Sequence, residues 1–352
     1  MDMLRMNRRH AVLLAAQLGL FALVAGCGPK TGSDTATAPA APASGAPAAG
    51  GKTLRIAVIP KGTSHEYWKS IHAGAQKAQT ELKAQGTNVD ILWKGPARED
   101  DRNAQIEVVE TFLSQQVDGI VLAPLDSQAL ARPVEEATAA KIPVVVIDSG
   151  VKTDKYVSFV ATDNEKGGEL GGKRLGEIVG GQKRVLMLRY MQGSASTEER
   201  EVGFLKAINA VPGIKIVSSD QYAGATVETA HNSAQNLLSR FGTQIDGIFT
   251  PNESATRGMI LAMKEAGLAG KVKLVGFDSS PDLIAALKAG QVQGLVLQDP
   301  VKMGYLGVKA VVDSIQGKPV EKRIDTGVTL VTPDNLADPK IQELVNPAVV
   351  SN

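Results

Sequence analysis

The chain has 352 residues, enough for two domains at roughly 100–200 residues each. Lys and Arg number 38 against 37 Asp and Glu, a formal charge of +1 that excludes nucleic acid or an anionic membrane as a partner held by bulk charge. The single cysteine, Cys27, excludes an internal disulfide and a cysteine zinc site, and the four histidines show no HExxH spacing.

In chain order, Arg5, Arg8 and Arg9 precede an apolar run over 11–25, broken only by Gln17 and Gly19. The run is short for a membrane span and the right size for a signal-peptide core. It ends in Val24-Ala25-Gly26-Cys27, small residues before a cysteine, which resembles the lipobox of bacterial lipoproteins. That resemblance implies a signal peptide over 1–26, removed on export, and a lipid on Cys27. The alternative is an ordinary export signal with a chance cysteine. A chain with no other cysteine suits an oxidising compartment. The rest of the segment 27–52 is almost wholly Gly, Ala, Pro, Ser and Thr. It cannot bury enough apolar surface to offset its ordering entropy, and reads as a tether reaching about 25–30 Å.

From residue 53 strands and helices alternate. Strands are predicted over 54–59, 89–93, 119–123, 143–147 and 156–161, with helices over 65–84, 103–116 and 127–140 between them. Runs such as VVVI carry no polar alternation, so both of their faces are covered, as in a parallel sheet between helices. A helix follows Asp163, with Gly167-Gly168 and Gly171-Gly172 on it. These lack a phosphate-loop ending and read as close helix–sheet packing. The second half repeats the pattern. Strands are predicted over 184–188, 215–217, 247–249, 273–276 and 294–297, and helices over 198–210, 226–240, 254–265, 281–289 and 300–316. The fold class is α/β, two doubly wound parallel-sheet lobes.

Ligands bind beyond the carboxyl ends of such strands. Those ends carry Lys61 to Trp68, Asp148-Ser149, Arg189-Tyr190, the run from Gly193 to Arg200, Asn252-Glu253, Asp278 and Gln298-Asp299. Tyr67 and Trp68 are adjacent rings in a chain with 4% aromatics. Aromatic faces beside carboxylate, amide and guanidinium groups suit a sugar, whose C–H faces pack on rings and whose hydroxyls both donate and accept.

The pieces VVVIDSG, FVATDN, GSASTEEREVGF, FTPNESATRG, LVGFDSSPD and LVLQDP occur in that order. With them the stretch 53–332 resembles the periplasmic ribose-binding protein and its relatives, the ligand-binding components of sugar ABC transporters. The resemblance implies the type 1 periplasmic binding fold with a multi-strand hinge. It implies an N-terminal lobe of 53–162 plus 299–327 and a C-terminal lobe of 163–298 plus 328–347. Chain crossings are then expected near 161–163, 298–299 and 327–329. The family's sugar-contacting pattern falls on Tyr67 and Trp68 as rings and on Asp148, Arg200, Asn252, Asp278 and Gln298 as hydroxyl partners. Three positions depart from it: His65 replaces an asparagine, Lys61 a serine and Ser149 an arginine. All three surround the sugar and count as candidate ligand residues. The family's aromatic on the second lobe has no clear match, Tyr222 lying nearby. Lys61, His65 and Arg189 add positive or donor character, which keeps a sugar acid or sugar phosphate open.

Each candidate has a plainer alternative. Tyr67 and Trp68 could be helix core, although adjacent residues do not share one stripe easily. Asp148 and Asp278 could cap turns, Asn252 a helix, and Arg200 sits in a charged run. Asp100-Asp101 reads as a helix start rather than a metal site. Three functions follow. A non-catalytic binder would close its lobes on a monosaccharide or polyol and dock on permease subunits, or present the ligand to a sensor receptor. An enzyme would need a nucleophile–base pair, metal cluster or Walker sequence, and none is evident. A repressor with the same ligand core would need an N-terminal helix-turn-helix where the export signal stands. The first reading expects no cofactor and no catalysis. It expects a monomer, periplasmic or cell-surface, held to a membrane by the lipid at Cys27.

Overall fold

The computed structural model describes residues 52–345. The expectations for the signal peptide, Cys27 and the tether up to residue 51 lie outside the described residues. Two six-stranded sheets share one plan. The first is built from β1 (Leu54–Ile59), β2 (Val89–Trp93), β3 (Gly119–Leu122), β4 (Val144–Ile147), β5 (Ser158–Ala161) and β11 (Arg323–Asp325). Its order is β11-β5-β4-β3-β1-β2, parallel throughout. The second is built from β6 (Arg184–Met187), β7 (Lys215–Ser218), β8 (Gly247–Phe249), β9 (Lys273–Phe277), β10 (Gly294–Leu297) and β12 (Thr329–Val331). Its order is β12-β10-β9-β8-β6-β7, with only β12 antiparallel.

The unbroken apolar runs are buried on both faces. Val144–Ile147 is buried at every position. Ile147 and Val145 pack on one side with Trp68, Ile71 and Val308, and Val144 and Val146 on the other with Phe112 and Val134. The second sheet is sandwiched the same way. Strand order reverses between β1 and β3 and again between β6 and β8. The loops after these strands therefore open onto the switch-point crevices where α/β sheets bind ligands.

The helices hold the site from behind. On α1 (Glu66–Ala84), a Cβ at Gly74 would come 2.0 Å from the Val301 carbonyl of α9 (Pro300–Ile315). On α4 (Asn164–Val179), a Cβ at Gly168 would lie 1.9 Å from the carbonyl of Arg200 on α5 (Ala195–Asn209). Gly168 thus serves helix–helix contact, while Gly167 and Gly171 abut Phe277 and Phe249 of the sheet.

Some elements begin elsewhere than the sequence pattern suggests. The third helix, α3, spans Ala131–Ala139 rather than 127–140. Asp126 Oδ1 takes the amides of Gln128 and Ala129 into a turn, and the Ser127 amide leaves for the Gly193 carbonyl. The short strands β11 and β12 and the helix α10 (Pro339–Val345) are additions. Between the sheets the chain passes from β5 into α4, from β10 into α9 and from β11 into β12. Arg323 ties the first and third passages. Its guanidinium donates to the carbonyls of Ala161 and Thr162 at 3.0 Å each, and Thr162 Oγ1 donates to the Gly327 carbonyl (3.0 Å).

Candidate functional site

One cavity gathers residues from both sheets: Lys61, His65, Tyr67, Trp68, Glu99, Asp148, Tyr190, Ser196, Thr197, Arg200, Asn252, Glu253, Asp278 and Gln298. Nine of the ten candidate binding residues line it, and Ser149 does not. Ser149 is fully buried beside it, its hydroxyl accepting from the Ser196 amide (3.1 Å).

On the first sheet Asp148 follows β4 with φ 63°, which turns its carboxylate out of the strand line. The Tyr67 hydroxyl donates to Asp148 Oδ1 (2.8 Å), and Lys61 Nζ pairs with Oδ2 (3.1 Å). Tyr67 stands edge-on to Trp68, ring centroids 5.1 Å apart. Both rings line the cavity and both pack on the first-sheet core, Trp68 within it and Tyr67 against it.

On the second sheet Asp278 follows β9 with φ 64°. Gln298 Nε2 donates to its Oδ1 (2.7 Å) and the Glu253 amide to its Oδ2 (3.1 Å). Arg200 lies over the Phe277 ring, 4.3 Å from its centroid. Its Nε donates to Asn164 Oδ1 and its Nη1 to the Pro251 carbonyl, both at 2.9 Å. Arg200 Nη2 and Gln298 Oε1 are buried without a partner among the described residues. Asn252 caps the helix α7 (Glu253–Glu265), its Oδ1 accepting from the Ala255 amide, while it also faces the cavity.

Glu99 is the cavity residue that sequence reasoning missed; Tyr190, Ser196, Thr197 and Glu253 lie in the strand-end stretches but were not among the candidate binding residues. Glu99 Oε1 pairs with His65 Nδ1 (2.5 Å) and accepts from Trp68 Nε1 (2.7 Å). The Tyr190 hydroxyl donates to Glu99 Oε2 (2.7 Å) from the other sheet. Burial works to lower the His65 imidazole, but the Glu99 carboxylate outweighs it and raises it to about 9. Burial works to raise Glu99, but His65, Lys61 and Trp68 hold it down at about 2. Both are therefore charged at neutral pH. Burial pushes the Glu253 carboxyl up to about 7, despite His65 and the Tyr67 amide. Burial likewise raises Asp278 above its usual range, against the pull of Arg200 and Gln298.

Charge at the site is balanced by pairing. Lys61 sits against Asp148, His65 against Glu99, and Arg200 is 4.0 Å from Asp278. Arg189 is drawn away, paired with Glu201 at 2.6 Å. Tyr222 stays outside, beneath the Arg189 guanidinium, and Tyr190 is the second-lobe ring at the cavity. The free space between these side chains is about 30 Å³, room for one or two waters.

The chain is similar to sugar-binding proteins of transport systems. The family model for the periplasmic binding protein domain matches residues 56–319. The D-ribose/D-allose-binding protein of Pseudomonas aeruginosa is 30% identical over 288 residues, 79% of this chain and 88% of the relative. A carbohydrate transporter solute binding protein from Agrobacterium radiobacter, solved with D-arabinose, is 36% identical with a TM-score of 0.78, covering 84% of this chain and 99% of that one. An ABC transporter solute binding protein from Agrobacterium vitis, solved with D-fucose, is 35% identical with the same TM-score, covering 83% and 99%.

Proposed function

Because the chain belongs to the periplasmic binding protein domain family, we propose that it captures a neutral, monosaccharide-sized polyol between its lobes and delivers it to the permease of an ABC transporter. The observation that carries the ligand class is the pair of unmet groups facing one cavity, the Arg200 Nη2 donor and the Gln298 Oε1 acceptor. A hydroxyl both accepts and donates, so hydroxyls satisfy both atoms, and a site so built rejects analogues that lack them. Asp148, Asp278, Arg200, Asn252 and Gln298 hold hydroxyls and Tyr67 offers its ring. Lys61 supplies the cation beside Asp148 that an arginine at Ser149 would otherwise bring. His65 and Ser149 act one step back, on Glu99 and on the Ser196 amide.

Lys61 is paired with Asp148 and His65 with Glu99, which argues against a sugar acid or sugar phosphate, since an anion would find these two cations already neutralised. Calorimetric titration of the purified protein with D-ribose, D-allose, D-arabinose and D-fucose, against D-ribonate and D-ribose 5-phosphate, tests this. Binding of a neutral sugar is expected. Tighter binding of either anion would refute the neutral class.

The ligand leaves unchanged, since solute capture needs no bond made or broken. We extend the reading to the N-terminus: the protein is exported and held at a membrane by a lipid on Cys27, as a monomer. Loss of labelled fatty acid incorporation in Cys27→Ala is the corresponding check.

A further inference from the structure

The second-lobe segment 190–196, the loop after β6 and the first residues of α5, is bonded to the first lobe along its length. The Tyr190 hydroxyl donates to Glu99 Oε2 (2.7 Å) and Arg102 Nη2 to the Gln192 carbonyl (3.1 Å). The Ser127 amide donates to the Gly193 carbonyl (2.9 Å). Lys61 Nζ reaches Ser194 Oγ (3.3 Å) and Ser196 Oγ (3.1 Å), and the Ser196 amide reaches Ser149 Oγ.

We propose that this loop is a clasp, with the Tyr190–Glu99 bond at its buried centre, that sets the balance between open and closed lobes ahead of the ligand and thereby scales the affinity for every ligand by one common factor. The affinity part rests on the sugar-binding reading above; the effect on the lobes does not.

Glu99 is anchored within the first lobe. His65 and Trp68 hold Oε1, leaving Oε2 to Tyr190. A Cβ at Gly62 would lie 2.8 Å from Glu99 Cγ, so the loop after β1 closes tightly over it. Parting the lobes leaves the first-lobe donors in place and removes Tyr190. The Tyr190 bond therefore counts only in the closed form and biases the equilibrium by its own differential energy. Gly193 shows how close the seam is. It has φ 92°, and a Cβ there would fall 2.3 Å from Asp126 Oδ2 of the first lobe.

A ligand that binds the closed form has an apparent Kd equal to its intrinsic Kd divided by the closed fraction. That fraction belongs to the protein. A clasp residue therefore changes affinity for different sugars by the same factor, whereas a ligand contact changes it sugar by sugar.

The test uses Cys27→Ser protein with labels at Lys83→Cys and Lys271→Cys, exposed positions on the first and second lobes. Interlobe distances without ligand are compared for the parent, Tyr190→Phe and the more exposed Arg102→Gln. Affinities for D-ribose, D-allose, D-arabinose and D-fucose are measured alongside. Tyr190→Phe is expected to lengthen the ligand-free distance and to weaken every sugar that binds by the same factor, the ratio of the two closed fractions, up to about tenfold. Arg102→Gln is expected to move both in the same direction by less. Unchanged ligand-free distances in both variants would overturn the clasp. So would losses that differ from sugar to sugar, which would make Tyr190 a ligand contact. If the parent binds none of the four sugars, the ligand class fails, and the distance measurement alone decides the clasp.

Discussion

Asp148 and Asp278 occupy the same place in the two halves of the molecule. Each follows the third strand in its sheet's order, and each takes a left-handed backbone, φ 63° and 64°. That conformation is uncommon outside glycine, and Asp and Asn are among the residues that tolerate it best. The turn swings both carboxylates into one cavity from opposite lobes. Each is then pinned by its own neighbours, Lys61 and Tyr67 on one side, Gln298 and the Glu253 amide on the other. The same left-handed turn thus recurs at the end of the third strand of each sheet, with a carboxylate at the cavity from both.

The first prediction follows from that backbone. Asp148→Asn and Asp278→Asn keep the turn and the shape but remove the charge. Each is expected to weaken sugar binding by more than tenfold, since a charge-assisted hydrogen bond is worth roughly 1.5–3 kcal/mol. Arg200→Ala should do the same through the loss of its free Nη2 donor. Titration calorimetry reads the affinities. Wild-type binding in all three variants would remove these residues from the site.

The Glu99–His65 pair gives stability a defined pH window. Glu99 is held at about 2, below its ordinary 4.5, so its contribution is present above 4.5 and is lost as pH falls toward 2. His65 is raised to about 9, above its ordinary 6.5, so its contribution is full below 6.5 and is lost as pH rises through 9. Lys61, Trp68 and Tyr190 face the pair throughout. Melting temperature is expected to fall on both sides of the window between 4.5 and 6.5. His65→Gln should flatten the alkaline side and leave the acid side shallower. An unchanged profile in that variant would show that the pair does not govern it.

Glu253 works in the intervening range. Its carboxyl is raised from 4.5 to about 7 by burial, so the protonated form fits the fold better than the charged one. Its contribution is present below 4.5 and erodes as pH rises through 7. Glu253→Gln is expected to remove that erosion, raising the melting temperature at pH 8 relative to wild type while matching it near pH 4. Arg257 contacts Glu253 Oε1 at 3.2 Å and provides the opposing outcome. If that pair dominates, the variant is less stable at pH 8.

The architecture was legible because buried parallel strands write themselves as unbroken β-branched runs, as in Val144–Ile147. Strands β11 and β12 were not, since each is three residues long and five of their six residues stay partly or fully exposed. Asp148, Arg200, Asn252, Asp278 and Gln298 stood at strand ends or in family-like pieces, where α/β chemistry is sought. Glu99 did not. It lies in the charged run Ala97-Arg98-Glu99-Asp100-Asp101, which reads as solvated surface. Its neighbours behave that way, Arg98 pairing with Asp100 and Asp101 capping α2 (Arg102–Ser114). Only the partners of Glu99, distant in sequence, bring it inside. The signal available was His65 itself, a histidine where the family pattern has an asparagine, which needed a buried anion to answer it.

The last prediction concerns how the helices hold Arg200. At Gly168 a Cβ would meet the Arg200 carbonyl at 1.9 Å, and at Gly203 a Cβ would meet the Glu165 carbonyl at the same distance. Backbone on both sides leaves no flexible side chain to give way, so α4 and α5 must separate. Arg200 sits on α5, and its Nε is held by Asn164 at the start of α4. Separation therefore breaks the bond that aims the guanidinium. Gly168→Ala and Gly203→Ala are each expected to cost about 1–3 kcal/mol by urea unfolding, the usual range for overpacking. They should also weaken sugar binding as Arg200→Ala does. Gly180→Ala is the control: it has open space around its Cβ but φ 72°, so it should lose stability without losing affinity. Retained affinity in Gly168→Ala despite a stability loss would show that Arg200 is aimed by the sheet rather than by the helix pair.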